Sequence, residues 1–193
     1  MILNTDRLGG QLNLASAPPR KDKIAWFIED MEALCRENGV EYLILGQHHT
    51  GAEGTPECFW SITETQDGDL LKKYVDLVIS GISTGSFSYI AYPDIFNFTG
   101  NNKIYYREME RLCVAAKEHN MPLEYNLLGA GEHRHYPKDS FLSIAKSIKN
   151  DIIIGCDAHS PAVLCDTELQ IKARSDLDDL GLNVIENIEL NKI

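Results

Sequence analysis

With 193 residues, the chain is long enough for one domain with a real core and too short for two comfortable ones. Hydrophobic residues make up 44% and charged residues 24%, an ordinary balance for a globular protein, and the net charge of -11 argues against non-specific binding to nucleic acid and against docking on anionic membranes. No apolar stretch approaches the ~20 residues of a membrane span, the N-terminus lacks a basic-then-apolar signal pattern, and the five cysteines form no CxxC pair, so the cytoplasm is the expected location.

Residues 1–21 are rich in Gly, Pro, Ser and Asn without sustained periodicity, and read as an irregular segment ahead of a single domain over 22–193. From Ile24 the pattern tightens. Ile24, Phe27, Ile28, Met31, Leu34 and Cys35 follow the spacing of an amphipathic helix, with Gly39 suited to a left-handed cap after it. "VEYLILG" then reads as a strand ended by Gln47, His48 and His49. The alternation repeats: Leu71, Tyr74, Val75, Val78 and Ile82 stripe a helix, and "FSYIAYPD" is a strand. Tyr105, Met109, Leu112, Cys113 and Ala116 stripe the next helix, and "MPLEYNLL" is the next strand. Asp139 or Ser140 is expected to cap a helix containing Phe141, Ile144, Ala145 and Ile148. "DIIIGCDAH" follows, then a helix start at Ser160-Pro161, and "LNVIENIEL" as a last strand. Strands alternating with helices imply an α/β protein with a parallel sheet, either a partial barrel or an open sheet.

Polar residues gather after the strands: His48 and His49, Tyr92 and Asp94, Glu124 and Asn126, Asp157 and His159. In barrels and open α/β sheets alike, the carboxyl ends of parallel strands carry the site. Asp157 and His159, two apart after a β-branched run, suit convergence on one point, where they can hold a metal ion or act as an acid/base pair. The loop "GEHRHYP" adds His133, Arg134 and His135. His133 and His135 read as an HxH pair or as solvated loop residues; Arg134 suits a phosphate or a surface ion pair. No GxSxG, Gly-rich phosphate loop or HExxH occurs.

Together, "YLILGQHH", "YIAYPD", "LEYNLLG", "RHYP" and "IGCDAHSP" resemble the PHP superfamily of metal-dependent phosphoesterases, in its histidinol-phosphatase-like branch, from about Ile24 to the C-terminus. The resemblance implies an incomplete, distorted, seven-stranded TIM-like barrel and hydrolysis of a phosphorylated small molecule, with histidinol phosphate of histidine biosynthesis as one family substrate. It implies His48, Asp157 and His159 as metal ligands, with Asp157 and His159 central to catalysis. Arg134 and His135 fall beside the phosphate, and Glu124, Asn126, Tyr92 and Asp94 support the ligands. The family holds up to three divalent ions, zinc, manganese or iron; one or none is expected here. Tyr92 stands where the family has a ligand histidine, and no HxH pair precedes His48. The chain therefore reads as a member lacking its first one or two β/α units. It is expected to be either a phosphomonoesterase or a degenerate relative that binds a phosphorylated ligand or a partner without turnover. The gap left by a missing strand is expected to be covered by residues 1–21 or by a second copy of the chain.

Overall fold

A computed structural model describes residues 9–12, 21–51, 55–159, 164 and 166–191, with side chains from Glu29 onward. Six strands alternate with helices: β1 (Gly9–Leu12), α1 (Lys21–Glu37), β2 (Tyr42–Leu45), α2 (Gly68–Ile82), β3 (Phe87–Ile90), α3 (Asn102–Glu118), β4 (Leu123–Asn126), α4 (Leu127–Gly131), α5 (Asp139–Ile148), β5 (Asp151–Gly155), α6 (Thr167–Asp179) and β6 (Asn183–Val184). All strands are parallel and lie in the sheet in chain order. Each crossover therefore steps the same way, and right-handed crossovers place successive helices on one face. Accordingly α2 packs on α3, and α3 on α5. This winding is that of a β/α barrel, but among the described residues β1 and β6 are two separate edges and the sheet is not closed.

The helices form where the apolar stripe and the caps agree. Leu71, Tyr74, Val75, Val78 and Ile82 of α2 are all buried, as are Tyr105, Met109, Leu112, Cys113 and Ala116 of α3. The side chain of Asp67 accepts from the backbone N–H groups of Asp69 and Leu70 at the start of α2, and Asn101 and Asp166 cap α3 and α6 in the same way. Such caps contribute about 1 kcal/mol each. At the end of α1, Gly39 takes φ +72°, as its left-handed cap requires.

Four elements differ from the sequence reading. Gly9–Leu12, inside the segment read as irregular, pairs in register with Tyr42–Leu45 and covers that edge of β2. Its sequence, GGQL, carries no strand signal; the free edge of β2 supplies the pairing. Leu34 is 51% exposed although it falls on the α1 stripe, while Met31 and Cys35 do pack against the core. Neither Asp139 nor Ser140 caps α5: the cap position is Lys138, without a side-chain hydrogen bond, and Asp139 is the first helical residue. Of "LNVIENIEL" only Asn183 and Val184 form a strand. Beyond β6, Ile185 and Ile188 pack on the core, and Asn191 bonds to Gly85, Phe87 and Ser88 around the start of β3. The helix start expected at Ser160-Pro161 lies outside the described residues; α6 begins at Thr167. Among the described residues, no helix is long and apolar enough to cross a membrane.

Candidate functional site

Alternation along β4 puts Glu124 and Asn126 on one face and Leu123 and Tyr125 on the other. Glu124 is in register with Ile153, and Asn126 with Gly155, so Gly155 of β5 shares the face of Glu124. A Cβ at Gly155 would overlap the Glu124 carboxylate, so only glycine lets that carboxylate lie against β5. Here the glycine is part of the site.

The buried Glu124 carboxylate is a node. Its Oε2 accepts from the Tyr92 backbone N–H at 2.9 Å and from Asn126 Nδ2 at 3.0 Å. Asn126 Nδ2 also reaches Asp157 Oδ2 at 3.4 Å, and its Oδ1 accepts from Gly129 N–H at 2.8 Å, capping α4. Tyr92 Oη lies 2.9 Å from His48 Nε2, and Asp157 Oδ1 lies 3.6 Å from His159 Nε2. One chain of contacts thus runs His48–Tyr92–Glu124–Asn126–Asp157–His159 across the carboxyl ends of four neighbouring strands, β2 to β5. Burial pushes the Glu124 carboxyl up to about 7, against the pull of the Asn126 and Tyr92 donors and with help from the nearby Asp157 charge. Burial also pushes the Tyr92 phenol upward, so it stays a neutral hydroxyl.

Asp157 and His159 do come together, but not by strand alternation. β5 ends at Gly155, and Asp157 takes φ +45°, a left-handed conformation outside the strand. Tyr92 takes φ +34° just after β3. Left-handed backbone at a non-glycine residue costs about 1–3 kcal/mol and gathers at functional sites.

Arg134 and His135 of the "GEHRHYP" loop are engaged within the protein, and Arg134 forms the surface ion pair that is one of its two readings. The Arg134 fork is engaged by Glu132, with Nε at 2.8 Å and Nη2 at 2.6 Å from Glu132 Oε2, and Nη1 donates to Tyr136 Oη at 3.0 Å. His135 Nε2 donates to the Ile95 carbonyl at 2.6 Å, and burial pulls its pKa down. His133 is exposed, on a left-handed residue of the loop. Asp94 is buried and accepts from the Lys138 backbone N–H at 2.6 Å. The His49 ring lies 6.3 Å from that of His48 and stacks on Trp60 with ring centres 6.4 Å apart, and its carbonyl accepts from the Gln47 amide. Tyr136 is the residue that reading for ligands overlooked. It is buried, meets the Tyr92 ring edge-on at 6.4 Å, and sits on Gly129, where a Cβ would overlap it. Its signal was the aromatic inside "RHYP".

For a metal ion, the donors fit as a pair. The 3.6 Å between Asp157 Oδ1 and His159 Nε2 is near the roughly 3.3 Å edge of a tetrahedral shell with ~2.0 Å bonds. His48 Nε2 faces the Tyr92 hydroxyl instead. Among the described residues, no three His, Cys, Asp or Glu side chains are grouped to hold an ion.

No protein-family profile matches the chain, and no curated protein matches it. Solved structures give distant likenesses. A crystal structure of a candidate histidinol phosphatase, hisK, from Listeria monocytogenes, is 10% identical with a TM-score of 0.49, over 72% of this chain and 61% of that one. An uncharacterized protein is 10% identical with a TM-score of 0.41, over 89% and 52%. A chain of an archaeal ribonuclease P determined with mature tRNA is 14% identical with a TM-score of 0.32, over 98% and 91%. The chain spans about three fifths and about half of the first two. Likenesses this distant carry no argument about function; the α/β description rests on the strand order and pairing themselves.

Proposed function

We propose that the strand-end site takes a phosphorylated small molecule, and that the reaction class is metal-assisted hydrolysis of a phosphomonoester. The observation that supports this is the contact chain from His48 to His159, which gathers imidazole, phenol, amide and carboxylate groups at the one end of a parallel sheet where ligands bind. The motif resemblance to the PHP superfamily supplies the reaction class. Asp157 and His159 would hold a single divalent ion, zinc, manganese or iron. When bound, such an ion supplies charge for the phosphoryl oxygens and acidity to a water. The chain's own residues do the rest. Asn126 orients Asp157, Glu124 orients Asn126 and the Tyr92 backbone, and Arg134 stands at the rim for the phosphate once it exchanges Glu132 for the ligand.

A second reading, binding without turnover, is favoured by one contact: the Tyr92 hydroxyl sits at His48 Nε2, the atom a further ion would need. The separating experiment is phosphate release from histidinol phosphate and from an aryl phosphate, with added manganese or zinc. The hydrolase reading expects release by the unmodified chain and none by Asp157→Asn, with its circular dichroism intact. If no substrate turns over, yet a phosphorylated ligand raises Tm, the binding reading holds. An active chain indifferent to Asp157→Asn refutes the site.

A further inference from the structure

Two segments more than 30 residues apart in sequence meet at the carboxyl ends of β3 and β4: the turn from Tyr92 to Phe98, and the loop from Glu132 to Lys138. Three hydrogen bonds lace them. The Lys138 backbone N–H donates to Asp94 Oδ2 at 2.6 Å, His135 Nε2 donates to the Ile95 carbonyl at 2.6 Å, and Lys138 Nζ donates to the Phe98 carbonyl at 3.2 Å. The same ammonium lies 5.0 Å from the centre of the Tyr105 ring. Asp94 is only 1% exposed. Burying a carboxylate is costly, so its retention points to a directional task rather than to space filling. Held between these ties is Tyr136, whose ring abuts Tyr92 and whose hydroxyl accepts from Arg134. Tyr92 in turn holds His48. Where the loop sits therefore decides how both Arg134 and the His48–Tyr92 pair face the strand ends.

We propose that Asp94 is the positioning residue of this site: through the Lys138 amide it locks the loop carrying Arg134, His135 and Tyr136 onto the end of β3. The mechanical half stands on the hydrogen bonds alone. The functional half, that this lock sets affinity for the phosphate side of the substrate, rests on the phosphomonoester reading above.

The test compares Asp94→Ala, which removes the acceptor, with Asp94→Asn, which keeps one. Hydrogen exchange in the free protein reports the lock, and kcat and KM for an aryl phosphate with manganese report its use. In Asp94→Ala the amides of Arg134 to Lys138 should exchange about tenfold faster while β4 and β5 keep their rates, and Asp94→Asn should restore most of the protection. KM should rise about fivefold in Asp94→Ala with kcat little changed, and recover in Asp94→Asn. Unchanged loop exchange in Asp94→Ala overturns the lock. Faster exchange with unchanged KM overturns the positioning role. An unmodified chain that turns nothing over removes the phosphomonoester reading and the positioning role with it, while exchange still decides the lock, so the two failures are told apart. Should Asp94→Ala not fold, Lys138→Pro removes the donor of the same bond, and unchanged exchange at Arg134 to Tyr136 in it overturns the lock.

Discussion

The two ends of the sheet solve the same backbone problem differently. At the amino ends, left-handed residues sit in the turns from helix to strand: Gly39, Asn120, Lys149 and Gly181 directly close their helices, and Gly85 lies further along the turn between α2 and β3. Each of those four is followed by an amide that reaches back to the helix, as in Val40 N–H to the Cys35 carbonyl at 2.9 Å and Met121 N–H to the Ala116 carbonyl at 2.9 Å. These are ordinary helix-closing motifs, and the positive φ serves the helix. At the carboxyl ends, the left-handed residues just past β3 and β5 are Tyr92 and Asp157, neither a glycine and neither closing a helix. Both belong to the hydrogen-bonded chain around the buried Glu124. Strain that ends a helix is architectural; strain at two non-glycine residues whose side chains join one polar network around a buried acid is the mark of a site.

The largest expected effect comes from breaking the carboxyl end. Gly155→Ala drives a methyl into the Glu124 carboxylate and should cost about 3 kcal/mol in urea unfolding. The cost should shrink in a Glu124→Ala background, because the overlap partner is gone. An equal cost in both backgrounds would place the strain elsewhere.

Next in size is a pH effect. Asp94 faces Lys138, Tyr74 and Tyr105, and burial pushes its carboxyl from 3.8 up to about 6, with the Lys138 amide and charge pulling the other way. A folded-state pKa above the unfolded one means that the folded protein binds more protons between the two values. The stability tied to Asp94 is then fully present below about pH 4 and is lost as pH rises through about 6, on the order of 2 kcal/mol. Unfolding free energies measured from pH 4 to 8 should therefore fall less steeply in Asp94→Asn than in the unmodified chain. Identical slopes would contradict the buried carboxylate.

The smallest effect sharpens the amino end. Lys149 closes α5 at φ +61° with a side chain that disfavours this conformation, so Lys149→Gly should stabilise by about 1 kcal/mol. A loss of stability would mean that the Lys149 side chain outweighs its backbone.

Much of the fold was legible because it is periodic. The stripes of α2 and α3 and the strand cores at Leu43, Phe87, Leu123 and Ile153 follow from spacing alone, and all are buried. What spacing cannot show is pairing. GGQL becomes a strand only because β2 offers an edge, and "LNVIENIEL" stops being one after Val184, where Ile185 and Ile188 turn to the core and Asn191 is drawn to the Gly85 and Phe87 carbonyls. The site divides the same way. His48, Tyr92, Glu124, Asn126, Asp157 and His159 were visible as polar residues after apolar runs. That His135 would bond the Ile95 carbonyl and that Gly155 would make room for Glu124 depend on neighbours distant in sequence.

The contrast between the two ends is tested most directly by an amide NMR titration of the full chain with inorganic phosphate in the presence of zinc. Saturable shifts should appear at Tyr92, Asn126, Gly155 and Asp157, while Asn120, Lys149 and Asn191 stay unmoved. Shifts confined to the latter group, or spread evenly over both ends, would contradict the assignment of the site to the carboxyl ends of the strands.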